Sequence, residues 1–476
     1  MTTTHHKAGP QQLWAGAAAL FLLSAAANMA SPLYPLYQQA YRMPDVTMTL
    51  LYATFAATAI PALLLFGSAA DALGRKPVLL AGLCCAAGGT ALFAVDGVGV
   101  SGLFVARVLL GVGLGLGTGA GIAFMVEASP AHRPALGSTG ATIAFVAGTG
   151  GGPVLAGLLA ARTSTMAVPF LVMLAALGLG ALLVATLRTG RPLVRQRWRP
   201  TWPAVPAQMR SSFTISAVTG FLGWCAVGVF LALLPSMAES VMADPSPAVS
   251  GILAGAVLLV SALSQLWAPH LQPRAAQTVG LSALAIGTAL LLSSSLPLFT
   301  STGVLAVMAA AALITGAGHG ISYWGAGRET DSLTPPNGRA GVTAALYLAF
   351  YAGAGMPAVG VGVLSMTTSL TWAITLVSLI MMLAMIAFLP VPSLVQTTIF
   401  RPRRQPEQHA RFHPHEQEVG ASGATSSHLV APTGTTGPGE HAENTARPLV
   451  ESTHPPADGA RHFWHGAPPA REGAGH

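Results

Sequence analysis

"GSAADALGRKPVLLAG", residues 67–82, separates two long apolar runs and places Asp71, Arg75 and Lys76 close together between Gly67 and Gly74. Charge is scarce elsewhere. Only 8% of the 476 residues are Asp, Glu, Lys or Arg, 52% are hydrophobic, and the mean hydropathy is +0.59. Soluble domains carry about 25% charged residues, so this chain lacks the polar groups to cover a water-facing surface. The bilayer is its natural solvent, because helices there satisfy their own backbone groups. A knot of charge between two apolar runs then reads as a turn at a membrane surface.

A membrane-crossing helix takes about 20 apolar residues. Twelve such runs are predicted, near 13–36, 48–71, 77–95, 100–127, 136–160, 166–187, 211–236, 248–269, 276–295, 300–326, 340–363 and 369–389, with "SSSLPLFTST" as a tight turn between the ninth and tenth. Odd-numbered loops hold Arg42 and Arg162. Even-numbered loops hold Arg75, Lys76, Arg133, the arginines of 188–210, Arg274, Arg328 and Arg339. The positive-inside rule places both termini in the cytoplasm of a bacterial inner membrane. Residues 1–12 are then a cytoplasmic N-terminus, 13–187 and 211–390 two six-helix bundles, and 188–210 a basic linker lying on anionic lipid. Residues 391–476 are rich in Gly, Pro, Ser, Thr and His without apolar period, and are expected to be a disordered cytoplasmic tail.

The net charge of +7 is scattered over short loops, which argues against a nucleic-acid partner. Cys84, Cys85 and Cys225 lie in apolar runs and the tail histidines lack ligand spacing, so no metal site is expected. "MTTTHHKAGPQQ" leads into a first run with no small-residue cleavage site after it, which reads as a retained helix. The runs hold no nucleophile, metal cluster or paired carboxylates, so an enzyme is not expected.

The halves repeat. Gly111, Gly113 and Gly115 are matched by Gly316, Gly318 and Gly320, Pro130-x-x-Arg133 by Pro336-x-x-Arg339, and Pro153 by Pro357, all about 205 residues apart. A duplicated six-helix unit gives that spacing. In the 67–82 turn, Gly67 allows close helix approach and Gly74 permits positive φ. Asp71 gains nothing from its own helix end but suits the positive N-terminus of another helix, such as the eleventh near Gly338.

"GSAADALGRKPVL" resembles motif A of the major facilitator superfamily, with matches at Gly67, Asp71, Gly74, Arg75, Lys76 and Leu79, and with Ala69 and Ala72 in place of the usual leucine and basic residue. The resemblance implies two six-helix bundles around a midplane cavity. Asp71 would bridge to the eleventh helix while the cytoplasmic side is closed, and Arg75 would pair with Glu127 of an E-x-x-P-x-x-R pattern. The second-half loop "HLQPRAAQTVG" has no acid and no glycine frame, so the latch is expected on one side only. Arg107, with Gly111, resembles motif B, implicated in proton coupling, although Leu110 replaces its glutamine. Gly148-x-x-x-Gly152-Pro153-x-x-Ala156-Gly157 resembles motif C, associated with antiporters and drug exporters. It would make a bent fifth helix packed on the eighth.

Polar and aromatic residues within the runs are cavity candidates: Asn28, Gln265, Trp267, His319, Tyr323, Trp324, Tyr347 and Tyr351. No acid lies deep in any run, which argues against strongly cationic substrates. The resemblance implies a monomeric transporter driven by a proton gradient, with no cofactor. It would export a small amphipathic compound by antiport. Symport of a sugar or organic acid is the alternative, and a transport-inactive sensor a third.

Overall fold

The computed structural model describes residues 9–66, 69–130, 132–133, 135–163, 165–187, 204–244, 246–296, 298–334 and 339–394, the side chains of Asp71, Arg339 and Ala340 excepted. Gly67, the expected linker through residue 203 and the expected tail from residue 395 lie outside the described residues. What is described belongs to one compact unit.

Twelve spanning helices run in order: α1 (Pro10–Asn28), α2 (Asp45–Phe66), α3 (Arg75–Phe93), α4 (Gly99–Glu127), α5 (Ala135–Ala160), α6 (Ala167–Thr186), α7 (Arg210–Val241), α8 (Pro247–Trp267), α9 (Pro273–Ser293), α10 (Ser301–Leu333), α11 (Arg339–Leu364) and α12 (Leu370–Phe388). Local chemistry sets their ends. Proline opens α1, α8 and α9, where its missing N–H costs nothing. The Thr300 and Ser369 hydroxyls accept from the backbone N–H groups of Gly303 and Trp372, capping α10 and α12. Gly74 stands at φ 97° before α3, a conformation glycine adopts without strain.

Two elements depart from the hydropathy reading. The first run is broken. After α1 the chain makes a 3₁₀ turn, Ser31–Leu33, and a short helix, Tyr34–Tyr41, because Pro32 and Pro35 remove two donors. The tenth continues to Leu333, past the expected end at 326, carrying Glu329 and Asp331 within its last turns.

The internal repeat is visible in the packing. A Cβ on Gly113 of α4 would lie 2.7 Å from the Gly82 carbonyl of α3, and one on Gly318 of α10 would lie 2.7 Å from the Gly280 carbonyl of α9. Gly111 likewise abuts the Phe55 carbonyl of α2, and Gly316 the Val257 carbonyl of α8. In each half the fourth helix is thus clamped against the second and third through glycines that no larger residue can replace.

The starts of α1, α3, α7 and α9 share one face with the ends of α4, α6 and α10. Gln12 donates to the Phe124 carbonyl, Lys76 to the Leu187 carbonyl, and Arg274 to Ser212 Oγ. This is the linker face, since α6 ends and α7 begins there. The two halves meet away from it. Ser31 Oγ donates to the Leu231 carbonyl, Thr49 meets Gly362, and Gly157 meets Pro247 and Gly251. The most apolar spans, α6 and α12, are also the least buried and carry exposed Leu179, Leu182, Trp372 and Ile380, as a lipid-facing periphery requires.

Candidate functional site

Between the bundles lies a small chamber lined by Asn28, Tyr52, Phe55, Phe145, Trp224 and Tyr347, with Tyr351 beside them. Phe145 of α5 meets Trp224 of α7 and Tyr347 of α11 edge to face, at ring-centre distances of 6.2 and 6.3 Å. Tyr351 Oη and Thr118 Oγ1 of α4 share a hydrogen bond of 3.1 Å across the same junction. The cavity volume is about 10 Å³, room for roughly one water molecule. Polar groups sit among the rings. Asn28 Nδ2 donates to the Ser24 carbonyl, while Tyr52 Oη and Trp224 Nε1 are buried without a hydrogen-bond partner.

Arg107 stands behind one wall of this chamber, fully buried. Its guanidinium donates to the carbonyls of Leu51 and Tyr52 on α2 and of Ala27 in the last turn of α1. Intrahelical donors run out in that last turn, and the negative end of the helix dipole favours a cation. The charge also lies over the rings of Tyr34, Tyr52 and Phe55, 4.8 Å from the last. Three backbone carbonyls and three rings thus stand where a carboxylate would be expected, which no sequence pattern reveals.

On the linker face, Arg75 Nε donates to Glu127 Oε1 at 2.9 Å, the pairing expected from the turn. Both partners belong to the first bundle, so the pair fixes the corner between α3 and α4. Lys76 has a separate task. Its Nζ donates at 2.7 Å to the carbonyls of Ala185 and Leu187, capping the end of α6. Asp71, expected to reach α11, is placed in the short helix Ala69–Leu73 and its side chain is not described.

The second half corrects one expectation. Arg274, in the loop without an acid or a glycine frame, where no counterpart of the first-half latch was expected, pairs with Glu329 of α10 at 2.6 Å and donates to Ser212 Oγ of α7 at 2.9 Å. Gln277 Nε2 donates to the other Glu329 oxygen, and Gln277 Oε1 accepts from Thr219. An ion pair between the start of the third helix and the end of the fourth therefore exists in both halves, exposed in the first and buried in the second. Glu329 is a buried acid in the last turns of α10, near the linker face rather than deep in the span. It escaped notice because the hydropathy of the tenth run ends before "GRETDSL", while the helix does not.

The α5 glycines divide by face. Gly148 and Gly152 abut the Phe21 and Ala25 carbonyls of α1, within the first bundle. Gly157 abuts Pro247 and Gly251 of α8, a Cβ on Gly251 would meet the Pro153 carbonyl at 2.5 Å, and Gly150 faces Gly255. Of the glycines expected on the eighth helix, only Gly157 is there. Gly150, which was not singled out, joins it.

The sequence model described as Major Facilitator Superfamily matches residues 16–358, from within α1 to within α11. The chain belongs to the Major Facilitator Superfamily. It is a secondary transporter and a multi-pass membrane protein with an all-helical fold. No curated protein matches it.

Within this superfamily fold the cavity candidates separate into three groups. Asn28, Tyr347 and Tyr351 line the chamber. His319 and Tyr323 form a second row. His319 Nδ1 shares a 2.8 Å hydrogen bond with Ser261 Oγ, its ring meets Trp224 at 4.9 Å, and Tyr323 Oη donates to Tyr347 Oη at 3.2 Å. The others lie elsewhere. Gln265 is buried within the second bundle, Trp267 is exposed, and Trp324 packs with Leu271, Ala276 and Ile321. They were chosen for being polar or aromatic within a run, a property that does not specify which face of the helix they occupy. Tyr52, Phe55, Phe145 and Trp224 were missed for the converse reason: an aromatic in an apolar run carries no mark of the midplane.

Proposed function

We propose that this transporter exports a small amphipathic compound from the bacterial cytoplasm in exchange for protons, by rocking its two bundles about the central chamber. One observation carries the reading: an aromatic chamber at the junction of the bundles, sealed away from the linker face by paired contacts between α2 and α11, α5 and α8, and α1 and α7. With the linker face in the cytoplasm, as the basic loops favour, this is the state closed toward the outside. The two-faced α5 supports antiport. Gly148 and Gly152 tie it to its own bundle while Gly150 and Gly157 form the sliding contact with the other. Asp71, Gly74, Arg75, Lys76 and Glu127 act at the opposite gate, and Arg107, Gly111 and the chamber respond to the proton gradient. The protein works as a monomer in lipid and needs no cofactor.

Transport in inverted membrane vesicles under an imposed proton gradient tests this reading across a panel of amphipathic compounds. Proton-driven accumulation is the expected result. Accumulation confined to right-side-out vesicles would establish uptake by symport instead.

A further inference from the structure

Two polar groups at the chamber stand without a partner. Tyr52 and Trp224 both line it, and Tyr52 Oη and Trp224 Nε1 are buried with no hydrogen-bond partner. An indole N–H can only donate. Asn28 already spends its amide group as a donor on the Ser24 carbonyl. The nearest charge is positive: Arg107 touches the rings of Tyr52 and Phe55, which form the chamber wall, and its recorded hydrogen-bond partners are all backbone carbonyls. Among the described residues no Asp or Glu lines the chamber, and Glu329 is held by Arg274 near the linker face. The rest of the wall is mostly aromatic rings, with aliphatic Leu114, Leu231 and Ala354 and the hydroxyl-bearing Thr149 between them.

A buried donor without an acceptor is costly until an acceptor arrives, and a cation placed near a guanidinium surrounded by carbonyl dipoles and ring faces rather than by a carboxylate meets repulsion in a medium of low dielectric. Aromatic walls favour a flat arene. We propose that the chamber recognises an aromatic solute whose polar group accepts hydrogen bonds and carries no positive charge, with an aromatic carboxylate as the best fit. Trp224 Nε1 and Tyr52 Oη donate to its oxygens, and Arg107 supplies a favourable field through the ring wall. This deepens the transport reading and rests on the chamber being the transport site. The ligand displaces the bundles as it enters, since the chamber as it stands holds about one water molecule.

Calorimetric titration of the full chain in zwitterionic lipid nanodiscs, with empty nanodiscs subtracted, tests the proposal using 1-naphthoate, 1-naphthamide and 1-naphthylmethylammonium. The expected order is carboxylate, then amide, then ammonium, with the ammonium at least about tenfold weaker than the carboxylate. Tyr52→Phe preserves the ring and Trp224→Phe keeps a smaller aromatic ring in its place, and each removes one donor. Each is expected to weaken the carboxylate and the amide by about fivefold while leaving the thermal midpoint near the parent's. An ammonium that binds as tightly as the carboxylate, binding by none of the three, or unchanged affinity in both variants would overturn the proposal. Counterflow in proteoliposomes separates this inference from the export reading. Binding in the expected order without exchange upholds the chamber chemistry and overturns its role as the transport site. Exchange of the ammonium without carboxylate binding overturns the chamber chemistry and leaves transport standing.

Discussion

Arg274 and Glu329 illustrate what a charge costs in this molecule. Both side chains are at least nine-tenths buried, and Gln277 and Ser212 hold the pair in place. Removing one member leaves the other buried without its counter-charge, a loss of about 3–5 kcal/mol, whereas replacing both with apolar residues is often neutral. Glu329→Gln is therefore expected to lower the thermal midpoint in detergent clearly, and Arg274→Met with Glu329→Leu to restore most of it. Arg75–Glu127 provides the contrast. The Glu127 side chain is 53% exposed, and an exposed pair is worth at most about 1 kcal/mol. Glu127→Gln should leave the midpoint nearly unchanged. Equal melting of the Glu329→Gln and Glu127→Gln proteins would show that burial does not set the weight of these pairs. At this scale the sequence was legible where a motif resemblance implied the pairing, as with Arg75 and Glu127. It was silent where partners come from distant helices, as with Arg274 and Ser212, or from backbone, as with Arg107 and the Ala27 carbonyl.

Among the elements, α5 makes the sharpest prediction because its glycines act in opposite directions. A Cβ on Gly148 collides with the Phe21 carbonyl, and backbone in a packed helix pair has nowhere to go. Gly148→Val should loosen the first bundle itself, at about 1–3 kcal/mol, and appear as lost thermal stability. A Cβ on Gly157 collides instead with Pro247 across the bundle junction. Gly157→Val should spread the seal opposite the linker face while each bundle stays intact. In a background without native cysteines, Thr49→Cys, placed at that seal, should then react faster with a membrane-impermeant maleimide. Unchanged labelling would remove α5 from the seal. Run boundaries were legible here because apolar length is a strong signal. Facing was not, since in a helix this rich in glycine several registers look alike.

At the scale of the whole molecule, the placement of basic loops predicts a sidedness that fusions can read. A reporter active only in the cytoplasm should work when joined after Leu187, and one active only outside should work when joined after Arg162, with the opposite pattern reversing the direction of transport proposed above. The duplication was legible because Gly111, Gly113 and Gly115 and their partners keep their spacing through the whole chain. It also showed that the repeat position of Arg107, near Ala312, is neutral; what it did not convey is that the second half carries an ion pair of its own, Arg274–Glu329.

The peripheral position of α6 and α12 has a consequence for how the protein is made. Each is the last helix of its half to leave the ribosome, and they are the most apolar spans, with mean hydropathy of 2.5 and 2.6. Insertion of α6 completes the lipid-facing wall of the first bundle before α7 has been synthesised. The contacts of α4 with α2 and α3, and of α5 with α1, can therefore form while the second half is still being translated. Each half is then expected to fold before it meets the other. Residues 1–195 and 196–476, coexpressed as separate polypeptides, should then find each other in the membrane and copurify.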